Sequence, residues 1–112
     1  MQVKSVAKDV GVSARKMRLV VDMVRGKAVG EALTMLRFAP TPNARIVAKA
    51  VKAAATDAEI NYQIPSAALR IVTIMADEAT TLKRFRAGAR RRVNPVLRRS
   101  SHITVVVGDG EA

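Results

Sequence analysis

The chain has 112 residues, 49% of them hydrophobic and 26% charged, with no cysteine and one histidine. That is enough for one small domain with a modest core, and it excludes disulfides and cysteine-based zinc sites. The formal net charge of +11 lies far outside ordinary solubility tuning and selects polyanionic partners, nucleic acid ahead of an anionic membrane.

No apolar run approaches the roughly 18 to 20 residues of a spanning helix, and residues 1–11 lack the apolar core of a secretory signal. A protein of the cytoplasm, not bound to membrane, is expected. From the N-terminus, QVKSVAK alternates loosely and reads as an edge strand with Lys4 and Lys8 on one side. Ser13 then stands at an N-cap position, and Ala14, Met17, Val20, Val21 and Val24 recur at helical spacing until Gly26 stops the run. The other side of that helix carries Arg15, Arg18, Asp22 and Arg25, a face that projects away from the core and can meet phosphate or water.

A turn over residues 26–30 leads to EALTMLRF, a shorter helix with Val29, Ala32, Leu33 and Leu36 inward, ended by Pro40. Thr41 and Pro42 have the character of an N-cap and first-turn pair, opening a helix of about five turns to Asn61. Its inward row, Ala44, Val47, Val51, Ala54 and Ala58, is small, which lets the helix lie close against a sheet. NYQIPSAA reads as a connecting loop, and the terminal GDGEA as a frayed end set away from any anionic partner.

Residues 69–76 (LRIVTIMA) and 101–107 (SHITVVV) are short β-branched runs of strand length that are expected to pair antiparallel. The stretch that joins them and runs into the second, LKRFRAGARRRVNPVLRRSSHI, holds eight of the twenty Lys and Arg residues. Residues 79–108 contain no Asp or Glu, so these cations cannot neutralise one another locally. Seven of the eight are Arg, whose planar fork matches phosphate oxygens bidentately. A solvated basic loop is the plain alternative, but a segment kept only for solubility would mix both signs. The segment is therefore read as the distal part of one long hairpin with its midpoint near Arg90 and a reach on the order of 40 Å. Phe85, Val93, Val96 and Leu97 are too few for a core of its own, so a partner is expected to complete its fold. The fold class is α+β: a small antiparallel sheet covered by three helices, with a long basic β-hairpin extension. One domain spans residues 1–112, with a globular body of 1–78 and 100–108 and a hairpin of about 79–102.

Enzyme chemistry has little to stand on. His102 is the only imidazole and, placed on a strand, reads as structural or RNA-contacting. Asp77 and Glu78 are adjacent and so point to opposite faces of a strand. There is no GxGxxG loop and no Walker-type GKS or GKT, and no metal or cofactor is expected. A helix-turn-helix reader is disfavoured because the second helix offers only Glu31, Thr34 and Arg37 as its polar face. With three aromatic residues, Phe38, Tyr62 and Phe85, the chain cannot build the stacking platforms of single-strand sequence readers. Recognition of folded RNA by shape and backbone remains, with a basic DNA-binding or nucleoid-associated protein as the alternative.

SARKMRLVVDMVRGKAVGEAL, VKAAATDAEIN, the ADE before the hairpin, and KRFRAGARRR with RRSSHITVVV closely resemble family twenty-two of the large-ribosomal-subunit proteins. The resemblance covers nearly the whole chain, in four ordered blocks at matching separations. It implies a cytoplasmic, ribosome-bound protein that binds large-subunit (23S) rRNA, supports assembly, touches neighbouring large-subunit proteins, and sends its hairpin to the wall of the nascent-peptide exit tunnel. Membrane and DNA are not among the partners it implies, and neither is catalysis. Carried onto matching positions, it implies RNA contacts by Arg15, Lys16, Arg18, Arg25, Lys83, Arg84, Arg86, Arg90, Arg92, Arg98, Arg99 and His102. The tunnel-lining tip would be Gly88, Ala89, Arg90, Arg91 and Arg92, beside the nascent peptide. The family commonly shows Pro-Arg followed by Ala-Arg-Gly-Arg at the tip, whereas this chain has Ala87-Gly88-Ala89-Arg90-Arg91-Arg92, so its turn cannot be copied from relatives. Pro95 removes a ladder donor from the returning arm, which implies a bulge or an unpaired edge there.

Overall fold

Successive β-branched side chains make 101–108 the best-buried strand, and the sheet is built around it. The computed structural model describes residues 2–109, in the order β1 (Gln2–Val10), α1 (Ala14–Val24), α2 (Val29–Phe38), α3 (Asn43–Tyr62), β2 (Arg70–Glu78), β3 (Leu82–Ala87), β4 (Val93–Arg98) and β5 (Ser101–Gly108). The last residues of GDGEA lie outside the described residues. β5 is central, with β1 and β2 antiparallel on either side, while β3 and β4 form a separate two-stranded ladder. Ile103, Val105 and Val107 of β5 point into the layer beneath the helices and are fully buried. The fold is α+β, as expected.

The helices cover one face of this sheet. All five residues of α1 picked out by helical spacing are buried, as is the small row of α3. Ala50 and Ala55 widen that row into a broad stripe, which lets α3 lie across β1 and β5. Ser13 occupies the N-cap of α1 with extended backbone, but its hydroxyl makes no capping hydrogen bond. The Thr41 hydroxyl does accept from the Asn43 backbone N–H, at 3.3 Å. At the other end of α3, Gln63 adopts the left-handed conformation usually given to glycine, and the Ile64 N–H donates to the Ala58 carbonyl at 3.2 Å. α2 begins at Val29, earlier than expected, so Gly30 is helical and the preceding turn is shorter. Leu33, expected inward, is only half-buried.

An edge strand exposes unpaired backbone groups, and β2 is an edge. Its outer side is nonetheless partly occupied, at four backbone groups spread from Leu69 to Ala76. Leu69 O accepts from Val29 N, and Ile71 N donates to Lys27 O. Beyond the bulge between Ile71 and Thr73 the outward-facing groups change parity, and Ile74 O and Ala76 O are met by arginine side chains of α1. Buried side chains change parity at the same place, from Leu69 and Ile71 to Ile74 and Ala76.

The long axis of the molecule is 61 Å against 26 and 21 Å for the others. A radius of gyration of 17.0 Å exceeds the roughly 13 Å of a compact chain of this length, because the β3–β4 arm stands off the body. Pairing of β2 with β5 ends on Glu78 and Ser101, and the ladder of the arm begins only at Leu82 and Arg98. From Leu82 to Arg90 it can reach roughly 27 Å.

Candidate nucleic-acid interface

Arm and body are not one continuous ladder. In the body, β2 and β5 end on the pair Glu78 and Ser101, and the arm starts on Leu82 and Arg98. Residues 79–81 therefore stand against only 99 and 100, a one-residue bulge. It is pinned by Ala79 N donating to Ser100 O at 3.1 Å and by the Ser100 hydroxyl donating to Thr80 O at 2.7 Å. Every residue of β3 is exposed, Phe85 to 71%.

The register assigns the arm two faces, because residues paired across an antiparallel ladder point the same way. Leu82, Arg84, Arg86, Val96 and Arg98 share one face. Lys83, Phe85, Ala87, Pro95 and Leu97 share the other. The register gives the arm one narrow apolar side, around Phe85, Pro95 and Leu97. At the tip, Gly88 N donates to Arg92 O and Arg92 N to Ala89 O. The left-handed residue of this turn is Arg90, with φ 56°, while Gly88 is extended. Counting back from the Gly88 and Arg92 pair, Phe85 and Pro95 form a non-hydrogen-bonded pair, so the N–H that Pro95 lacks would have pointed outward. No bulge forms there; of the two outcomes expected for Pro95, the unpaired edge is the one present.

The two basic blocks of the sequence meet at the foot of the arm. Lys16, Arg98 and Arg99 line a groove with Ser13 and Asn43, at the N-terminal ends of α1 and α3. Arg15 and Arg99 share an adjoining crevice with Glu78. Arg18 and Arg25 sit further along α1, over the β2 edge. Arg18 donates through Nε to Ala76 O at 3.1 Å, which leaves both of its Nη groups uncommitted among the described residues and the guanidinium held in one orientation. Arg25 is committed at both ends, Nη1 to Asp22 at 2.8 Å and Nη2 to Ile74 O at 3.0 Å. Sequence spacing had all three arginines projecting away from the body; these two lie back against it.

Lys83 lies on the arm face opposite Arg84 and Arg86, and Arg90 and Arg92 are at the far end. His102, half-buried on β5, accepts the Asp9 backbone N–H on Nδ1 at 3.1 Å, so its proton sits on Nε2 and the ring ties β1 to β5. The backbone caps over Ile74 and Ala76 were not legible beforehand, because the partners lie 49 and 58 residues apart. Among the described residues no cluster of His, Cys, Asp or Glu could hold a metal ion, and no helix is long and apolar enough to cross a membrane.

The model of the family "Ribosomal protein L22p/L17e" matches residues 5–108. The chain belongs to this family. Among similar proteins, the large ribosomal subunit protein uL22 of Dehalococcoides mccartyi strain 195 is 60% identical over 109 residues, covering 97% of this chain and 100% of the relative. The uL22 proteins of strains BAV1 and CBDB1 are each 58% identical over the same extent. For this L22p/L17e family member, the matched span takes in α1, the arm and β5 together, so every residue of the candidate interface falls within it.

Proposed function

We propose that this chain binds 23S rRNA through the foot and arm of its hairpin, and that the hairpin tip lines the nascent-peptide exit tunnel. Family membership carries the coarser statement: the chain is a structural constituent of the large ribosomal subunit, at work on cytoplasmic ribosomes. One observation supports the finer reading above others. An arm whose outgoing strand β3 is exposed along its length, with cations and no acid, packs on no helix of the body among the described residues and is marginal in water unless a polyanion receives it.

On this reading Arg15, Lys16, Arg98 and Arg99 grip phosphate at the groove, the uncommitted fork of Arg18 adds a contact, and Arg84, Arg86, Arg90 and Arg92 carry the track along the arm. Lys83 would meet RNA on the other side of the arm, and His102 through Nε2. Arg25 is the least available of the set. Gly88 to Arg92 would form the tunnel wall, with neighbouring large-subunit proteins packed near the body. The alternative of a nucleoid protein draws no support from the family.

The absence of cysteine allows a direct test. Gly88→Cys or Arg92→Cys protein, incorporated into ribosomes and fitted with a photo-crosslinker, should label a stalled nascent peptide, while Glu59→Cys on the exposed side of α3 should not. Labelling from Glu59→Cys but from neither tip position removes the tunnel assignment. Failure of the chain to co-sediment with the large subunit after a moderate salt wash removes RNA binding as well.

A further inference from the structure

Phe85 is the one aromatic on the arm, and it is displayed instead of buried. Its cross-strand partner is Pro95, which puts two rings side by side at a spacing of about 5 Å between Cβ atoms. Lys83 and Leu97 adjoin this pair on the same face, and Arg84 and Arg86 flank it in sequence from the opposite face. No acid lies anywhere in residues 79–108 to repel a nucleotide or to recruit a basic protein surface. A ribbon two strands wide is narrow enough for a nucleic-acid strand held by the arginine face to turn a base around its edge.

We infer that the Phe85 and Pro95 face of the arm receives an unstacked nucleobase, stacked on the Phe85 ring, while the Arg84, Arg86 and Arg98 face holds phosphate. The inference rests on the RNA-binding reading and adds a division of labour to it: one face supplies salt-dependent grip, the other a salt-independent contact that needs a base. An aromatic ring stacks any base, so the contact calls for local unpairing and not for a particular sequence. It is a single stacking contact, consistent with a chain too poor in aromatics to build a platform.

Because the chain contains no tryptophan, Phe85→Trp places a single fluorescent reporter at the site. Full-length protein is titrated with an RNA duplex carrying a bulge of unpaired adenines, with the same duplex fully paired, and with heparin as a polyanion without bases. The reporter should be quenched by the bulged duplex alone. Phe85→Ala should bind the bulged duplex roughly ten-fold more weakly, with its salt slope unchanged. Phe85→Leu should behave like Phe85→Ala, since it keeps apolar bulk and loses the π face. All three should melt with the parent, because the side chain is exposed. Phe85→Leu binding as tightly as the parent, or equal quenching by heparin, overturns the stacking inference. So does a reporter that shifts to the blue without quenching in the intact subunit, which would place the face against apolar protein. If Arg84→Ala lowers the salt slope while Phe85→Trp stays unquenched, RNA binding stands and stacking alone fails. Binding of the parent chain that is insensitive to salt removes the underlying reading too.

Discussion

Arg25→Met separates a structural arginine from a ligand-binding one on the same helix. Methionine keeps the aliphatic stem and removes the guanidinium, so the Ile74 carbonyl on the sheet edge loses its donor and Asp22 its partner. The side chain is 53% exposed, which places the lost backbone hydrogen bond at the modest end of its range, about 1 kcal/mol. The surface pair with Asp22, spaced i to i+3, adds roughly 0.3 kcal/mol. The sum of about 1.3 kcal/mol corresponds to a fall of about 5 °C in Tm for a domain of this size. Affinity for rRNA fragments should keep its dependence on salt, because both Nη groups are already engaged, one by the Asp22 carboxylate and one by the Ile74 carbonyl. Arg18→Met should show both effects: a loss of about 1 kcal/mol from the Ala76 cap and a decrease of roughly 0.7 to 0.9 in the log-log salt slope from the uncommitted fork. Arg15→Met should change the slope and leave the melt alone. Thermal melts followed by circular dichroism, with filter binding across a salt series, read both quantities. If Arg25→Met melts within about 1 °C of the parent while its slope falls as far as that of Arg15→Met, the edge-capping argument is wrong.

Replacing residues 83–99 by a short Asn-Gly turn should leave a body that melts cooperatively, since the exposed arm contributes nothing to the core; loss of cooperativity would show that body and arm fold as one. Val51→Asp buries an unpaired charge where α3 meets the sheet and should cost several kcal/mol, enough to abolish a cooperative melt. Ser101 is fully buried and its hydroxyl has no partner among the described residues, so Ser101→Ala should raise stability by about 1 kcal/mol, read as a higher urea midpoint at unchanged slope. At the tip, Arg90→Gly relieves a left-handed backbone and should tighten the turn, whereas replacing Arg90, Arg91 and Arg92 together by Ala should flatten the salt slope.

Burial leaves a periodic trace, and wherever it did the elements could be read from the chain. The inward residues of α1 and the small row of α3 repeat at helical spacing because each meets the sheet once per turn. β2 and β5 are apolar and β-branched because one of their faces is sealed. β3 and β4 escape this logic, for an arm exposed on both faces has no burial to record, and its two-faced character emerges only once Leu82 is known to pair with Arg98. The bulge at the foot arises from two segments meeting across the ladder and has no local sign. Long-range hydrogen bonds explain the remaining differences: the reach of Arg18 and Arg25 to β2 depends on where α1 docks, and the idle hydroxyl of Ser13 shows that a residue can hold a cap position without capping.

The uneven foot of the arm, three residues facing two, also governs how such an arm can lengthen over evolutionary time. One residue added to each strand carries the tip outward by about 3.4 Å but turns its side chains to the opposite face. Two added to each strand carry it about 6.8 Å and restore the original orientation. A residue added to one strand alone must be taken up by the tip turn or by the bulge, or the arginine row and the Phe85 row exchange sides from that point onward. Lengths that conserve the division between the rows therefore form a ladder of discrete steps, and the slack in the foot is where an odd insertion can be absorbed without rewriting the arm.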